Sequence, residues 1–351
     1  MYLHTLGWNQ HFQNAWQSAG CRFPPARVVE AQRGAWRIAS EAGELAAEIT
    51  GRLRYTAEHE SEFPVVGDWV SAEIFQLENK ALIHQVLPRR TTLSRKAAYE
   101  VKEQVLVANV DTVLIVSSLN AEFNDRRLER YLSMIWESGA TPVVVLSKAD
   151  LCESPRDTAA RAETLAPGVQ VHVISGITGE GLTALMPYFG PGITSVLVGS
   201  SGVGKSTMIN ALLQSETQTT KQTLSDSRGQ HTTTSRRLFS MPSGGVLIDT
   251  PGIRELQLWD SGGLENAFED ISRLASRCRF TDCKHGTEPG CAVREAVANG
   301  ELDEKRLANF DKLKREMDYL ERRHDPAALA EQRKRWKQVH KAVKRANRNR
   351  Q

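Results

Sequence analysis

The run Gly199-Ser200-Ser201-Gly202-Val203-Gly204-Lys205-Ser206-Thr207 fits the pattern G-x-x-x-x-G-K-[ST]. In such a loop successive backbone N–H groups turn inward and bind phosphate oxygens, helped by the positive end of the following helix. Lys205 would reach the β- and γ-phosphates, and the Ser206 hydroxyl would ligate Mg²⁺. Downstream, Asp249-Thr250-Pro251-Gly252 follows an apolar run. An acid there can hold Mg²⁺ through water while the Gly252 N–H senses the γ-phosphate. Between these motifs, Arg228-Gly229-Gln230-His231-Thr232-Thr233-Thr234 lies where a switch segment would supply a threonine, Thr232 or Thr233, to metal and phosphate. The position that often carries a water-orienting glutamine is Ile253, which cannot hydrogen-bond. His231 is the nearest polar candidate for that task.

Upstream of the loop, Ser147-Lys148-Ala149-Asp150 resembles the N-K-x-D guanine-recognition motif of GTPases. Guanine presents N1–H and an exocyclic amine, and the Asp150 carboxylate can accept from both. Adenine offers neither pairing, so the acid discriminates by leaving the wrong base unsatisfied. Lys148 can lay its stem along the base. The usual asparagine is Ser147, too short to reproduce both amide contacts, which weakens the expected grip on guanine. Ser175-Gly176-Ile177-Thr178-Gly179-Glu180-Gly181-Leu182 resembles the loop whose backbone N–H contacts guanine O6.

A second centre is C-x₄-C-x-H-x₅-C, made by Cys278, Cys283, His285 and Cys291. Three thiolates and one imidazole form a closed tetrahedral Zn²⁺ set with no open position, which implies structure rather than catalysis. Cys21 and Cys152 have no ligand neighbours and read as packing residues. An odd number of cysteines, with three clustered, argues against a disulfide framework and for a reducing, cytoplasmic setting.

These residues need a scaffold. Thr112–Ser117, Pro142–Leu146, Val169–Ile174, Thr194–Val198 and Gly245–Ile248 are apolar runs suited to buried parallel strands. Helical patterns over Arg126–Ser138, Arg156–Leu165 and Gly181–Phe189 alternate with them. The succession predicts a doubly wound, mainly parallel α/β sheet over residues 96–272, with the motifs at the strands' C-terminal ends. Residues 35–95 carry short β-like runs, notably Val65–Ile74 and Leu82–Leu87, and fit a five-stranded barrel of OB type that could bind oligonucleotides. Residues 1–34 read as an irregular extension and Pro88–Lys96 as a basic linker. Residues 273–351 form the metal-binding domain, helical over Ala292–Asn299 and Glu301–Arg323. Its end, Arg333–Arg350, carries nine Lys or Arg and no acid, with Trp336 among them. That stretch suits a phosphate backbone and a stacked base.

The bulk properties agree. The chain has 351 residues, 40% apolar and 25% charged, with a net charge of +3, ordinary for a soluble protein of two or three domains. No basic segment followed by an apolar core marks a signal peptide, and no run approaches a membrane span.

Motif order is the informative departure. A common GTPase runs from phosphate loop through switch and D-x-x-G to N-K-x-D; here Asp150 and Ser175 precede Gly199. Circular permutation preserves a site when chain ends are spatial neighbours. With V-G-D-W-V at Val66–Val70 ahead of it and the cysteine cluster behind, this order resembles the RsgA (YjeQ) family of circularly permuted GTPases. The resemblance implies an OB barrel, a permuted GTPase domain and a zinc domain. It implies slow GTP hydrolysis that quickens on the small ribosomal subunit, binding to its rRNA, and help in late maturation of the decoding region. It gives Lys205, Ser206, Asp249 and Gly252 phosphate and Mg²⁺ roles, Lys148 and Asp150 guanine roles, and His231 the catalytic role. The four cysteine-cluster residues become zinc ligands. A cytoplasmic monomer away from membranes is expected.

Overall fold

The structure, a computed structural model, describes residues 2–32, 34–96, 103–119, 123–200, 202–216, 236–249 and 262–324. Two short helices, α1 (Tyr2–Thr5) and α2 (Gln10–Ser18), lead into strands β1 (Pro25–Gln32), β2 (Ala35–Ser40) and β3 (Gly43–Ile49). Helix α3 (Gly51–Thr56) crosses to β4 (Trp69–Phe75) and β5 (Lys80–Val86). A hairpin of β6 (Thr92–Lys96) and β7 (Glu103–Ala108) follows. Then come β8 (Thr112–Ser118), α4 (Asp125–Ser138), β9 (Thr141–Ser147), α5 (Pro155–Leu165), β10 (Gln170–Val173) and β11 (Thr194–Val198). After α6 (Lys205–Glu216) lie β12 (Arg236–Ser240) and β13 (Val246–Asp249). The remaining helices are α7 (Gly262–Ala267), α8 (Glu269–Ala275), α9 (Ala292–Ala298) and α10 (Glu304–His324).

Strands β1-β2-β3-β5-β4 close on themselves through a β1–β4 pairing, giving the expected five-stranded barrel. Its interior is filled by alternate residues such as Val28, Ile38, Val70 and Ile83, all fully buried, as period-two burial requires. The α/β part has strand order β10-β9-β8-β11-β13, all parallel, with β12 antiparallel at the edge. Residues of β8 divide between the two faces, Val113 and Ile115 into one core and Leu114 and Val116 into the other. A strand buried on both faces therefore reads as one apolar run.

Three expectations are corrected. The described residues 2–32 of the expected 1–34 extension are not irregular. Strand β1 belongs to the barrel, and Leu3, Leu6, Trp8 and Phe12 are buried in the main core. Pro88–Lys96 is not a linker throughout, because β6 pairs with β7. Gly181–Phe189 forms a 3-10 helix over Leu182–Phe189, with Pro187 inside it; proline has no N–H to donate and disfavours a regular α-helix.

The V-G-D-W stretch explains how the N-terminal part joins the rest. Gly67 has φ +95, and a Cβ there would lie 2.0 Å from the Ala108 carbonyl, so only glycine fits. Asp68, wholly buried, takes a bidentate pair from Arg89 at 2.8 Å on each oxygen. Trp69 packs edge-on against Trp8 at 4.8 Å. Buried Arg27 lies 5.3 Å over the Trp69 ring and donates to the carbonyls of Leu6, Gly67 and Asn109. Burial pulls its guanidinium down to about 10, so it stays charged at neutral pH and stitches the N-terminal helices, the barrel and the entry to β8.

The C-terminal helices dock on α4 through a second buried network. Arg306 of α10 donates to Glu129 of α4 at 2.6 Å and grips Asp270 of α8 at 2.7 and 2.8 Å. Asn309 donates to the other Glu129 oxygen. Arg306 also lies 4.8 Å over the Phe268 ring. Nearby, Arg130 pairs with Glu316 at 3.0 and 2.6 Å. Removing one partner of a buried pair strands the other charge. Arg306→Ala should therefore cost about 3–5 kcal/mol in urea unfolding, and a Glu129→Met/Arg306→Met double variant should recover most of that loss.

Candidate functional site

All the described site loops leave the same edge of the parallel sheet. The loop after β11 carries Gly199, φ +142, where a Cβ would lie 2.2 Å from the Val116 carbonyl of β8. The loop can therefore pass β8 closely only as glycine. Gly202 and Gly204 also have positive φ, at +83 and +91. Lys205, the first residue of α6, folds back so that its ammonium donates to the carbonyls of Gly199 and Ser200, 2.7 Å each. Val203 and Met208 anchor the loop and helix in the core on that sheet face.

The loop after β9 comes to meet it. The hypothetical Cβ of Gly204 would lie 3.8 Å from Ser147 Oγ and 4.0 Å from Lys148 Cε. Lys148 has φ +61. Ser147 is buried and donates its hydroxyl to the Val203 carbonyl at 2.5 Å. The serine that looked like a shortfall in base recognition is thus a brace for the phosphate loop. Asp150 accepts from the Ser175 hydroxyl at 2.5 Å. Ser175 Oγ in turn accepts the N–H groups of Ile177 and Thr178 at 3.3 and 3.1 Å. Ser147, Lys148, Asp150, Ser175 and the phosphate loop are therefore one constellation, although up to 58 positions separate them between Ser147 and Lys205.

Ser206 stands in the first turn of α6, and Asp249 ends β13, which pairs in parallel with β11. A triphosphate and its Mg²⁺ fit this cradle of glycines, N–H groups and a lysine. Ser201, His231, Thr232, Thr233 and Gly252 lie outside the described residues, as do Ile253 and the basic stretch from Arg333 to Arg350. One contact escaped the sequence reading: Arg127, in the first turn of α4, donates to the Ser200 hydroxyl at 2.6 Å. Asn124 caps that turn, its side chain accepting from the Arg127 N–H; the helical pattern over Arg126–Ser138 does not say where the guanidinium points.

The four residues of the C-terminal cluster also converge. Their ligand atoms all lie within 4.8 Å of one another. Cys278 Sγ is 3.9 Å from Cys291 Sγ and 3.7 Å from His285 Nδ1, and Cys291 Sγ is 3.5 Å from the same nitrogen. These are edges of a small tetrahedron able to hold one metal ion. Glu288 accepts the N–H groups of Lys284 and Gly286 at 3.2 and 2.7 Å, fixing the turn in which His285 takes φ +57. Burial holds the His285 imidazole below its ordinary pKa, favouring the neutral form that a metal ligand must have. Cys291 caps α9, accepting from the Arg294 N–H.

Replacing Ser147 with alanine leaves the Val203 carbonyl without its partner. The expected result is about 1–3 kcal/mol lost from unfolding stability, with faster amide exchange in the phosphate loop, read by hydrogen-exchange mass spectrometry.

Comparison with known proteins follows the same lines. A family model described as RsgA GTPase matches residues 86–259. A small ribosomal subunit biogenesis GTPase RsgA of Opitutus terrae is 43% identical, over 97% of this chain and 96% of its own. Another, of Syntrophotalea carbinolica, is 39% identical over 98% of each chain. The crystal structure of YjeQ from Thermotoga maritima superposes with a TM-score of 0.64 at 28% identity, covering 84% of this chain and 98% of that one. YloQ, described as a circularly permuted GTPase, shares the fold with a TM-score of 0.61 at 24% identity, covering 86% and 96%. With this motif order in a permuted sheet, and with identity running nearly end to end, the chain belongs to the RsgA GTPase family and is a GTP-hydrolysing enzyme.

Proposed function

We propose that this GTPase acts on the small ribosomal subunit, as a late maturation factor that binds rRNA and checks or assists the decoding region. The observation that carries the nucleotide half of this reading is the meeting of Ser147, Lys148 and Asp150 with the phosphate loop in one cleft edge. The ribosomal half is supported by the relatives' names as small ribosomal subunit biogenesis GTPases. The barrel and the basic, Trp-bearing stretch from Arg333 to Arg350 are the surfaces assigned to rRNA. On this reading the chain divides into an N-terminal extension, a barrel that includes β1, a permuted GTPase domain and a zinc domain from about residue 273. No helix among the described residues is long and apolar enough to cross a membrane. A monomer working in the cytoplasm suits such a partner.

The roles follow from position. Asp150 accepts guanine N1–H and its amine, exchanging the Ser175 hydroxyl for the base. Lys148 lies along the base plane and the N–H groups of the Ser175 loop face O6. The loop from Gly199 to Thr207 supplies N–H donors, and Lys205 gives up two backbone carbonyls for β- and γ-phosphate oxygens. Ser206, Asp249 and one of Thr232 and Thr233 would hold Mg²⁺, which when bound neutralises charge on the phosphates. The Gly252 N–H meets the γ-phosphate, and His231 orients the attacking water. Cys278, Cys283, His285 and Cys291 hold one structural Zn²⁺. With Zn–S of about 2.3 Å and Zn–N of about 2.0 Å a tetrahedron has edges of roughly 3.5–3.8 Å, close to the 3.5, 3.7 and 3.9 Å found.

Two measurements test this reading. GTP turnover with purified small subunits should exceed basal turnover roughly tenfold or more, as for GTPases completed by a partner; an unchanged rate would defeat the coupling to the subunit while leaving nucleotide binding intact. Elemental analysis should find about one zinc per chain, and chelation should open residues near the cluster to protease without abolishing GDP binding.

A further inference from the structure

We propose that Arg127 is a catalytic residue supplied in cis, its guanidinium contacting the terminal phosphoryl group during hydrolysis. This rests on the phosphate-loop reading above. The cation stands on α4, the helix following β8, whose neighbour in the sheet is β11. Its side chain is exposed, and it donates to Ser200 Oγ at 2.6 Å. The Lys205 ammonium meets the same residue, 2.7 Å from the Ser200 carbonyl. Two cations therefore converge on Ser200. One is the lysine that reaches the β- and γ-phosphates, so the other borders the same end of the triphosphate.

The partner Arg127 holds is a weak one. A hydroxyl offers a guanidinium a single neutral acceptor, whereas a phosphoryl group offers charged oxygens in the bidentate geometry that arginine fits. Other arginines of this region are already committed, Arg130 to Glu316 and Arg161 to Asp125. Among the described residues no carboxylate is recorded against Arg127. An arginine beside the transferring group stabilises its spreading charge and can act from the same chain. In the step, water oxygen bonds to the γ-phosphorus. The bond to the β–γ bridging oxygen breaks with its electron pair leaving on GDP, and the water proton ends on the released phosphate. Arg127 keeps all its protons throughout.

The test uses the full chain with Arg127→Ala, Arg127→Lys and, as a reference, Lys205→Ala. Single-turnover GTP hydrolysis is measured alongside affinities for fluorescent GDP and a non-hydrolysable GTP analogue. Arg127→Ala should slow the chemical step about tenfold to a hundredfold, below the roughly 10³–10⁵ of a fully engaged arginine finger because the basal reaction is slow. GDP affinity should change less than about threefold, since GDP lacks the contacted group, and Arg127→Lys should recover only part of the rate. Trapping of a GDP–aluminium fluoride complex should weaken in step with the rate. A chemical step within about twofold of the parent would overturn the proposal. So would equal losses of GDP and GTP-analogue affinity with an unchanged rate per bound nucleotide, which would make Arg127 a brace for the loop. If Lys205→Ala also bound and hydrolysed GTP normally, the phosphate-loop reading itself would have failed, an outcome separate from the Arg127 result.

Discussion

Strand β11 is hydrogen-bonded in parallel on both sides, to β8 and to β13. That pairing is the constraint from which the site follows. Parallel strands bring their C-terminal ends to one edge, so Val198, Asp249 and Ser118 end their strands side by side. The fit is tight because Val116 presents its carbonyl to the position where a side chain at residue 199 would have to stand. Strand β9 adds Ser147 to the same edge, and its hydroxyl ties the loop after β11 to the end of β9. Permuting the chain changes which strands are consecutive and leaves these pairings, and so the site, intact.

Helix α4 has two clients. Its first turn presents Arg127 to the phosphate loop, and its next turn presents Glu129 and Arg130 to α10. The buried Glu129–Arg306 pair is held by enough hydrogen bonds, from Asn309 and to Asp270, to offset much of the desolvation that makes such pairs costly. The part of the chain that carries the cysteine cluster is therefore seated on the helix that also touches the phosphate loop.

Much of this was legible in the residues because the determinants are local. A phosphate loop, an acid after a strand and four closely spaced metal ligands each declare their chemistry within a short window. The apolar strands were legible for the same reason, both of their faces being buried. What escaped depends on contacts between distant positions. Strand β1 carries the buried Arg27 in its middle, and its pairing with β4 is not written in its own pattern. The N-terminal helices are held by Trp69, far along the chain. The bond from Ser147 to the Val203 carbonyl is invisible in the local motif because its acceptor lies 56 positions away. Val66-Gly67-Asp68-Trp69 was noticed as a pattern, but its purpose as the seam between barrel and sheet needed Ala108, Arg89 and Trp8 in place.

Strand β12 pairs with β13 on one side and with barrel strand β1 on the other, so barrel and nucleotide domain share a single hydrogen-bonded sheet. In that register Arg237 stands opposite both Asp249 and Glu30. Side chains alternate faces along a strand, so a slip of one residue would turn every β12 side chain to the wrong side. The smallest slip that preserves the faces is two residues, about 6.8 Å of travel. β12 thus fixes the barrel to the nucleotide domain in a single register, so that neither can shift along the other by less than a whole pleat without exposing its core residues.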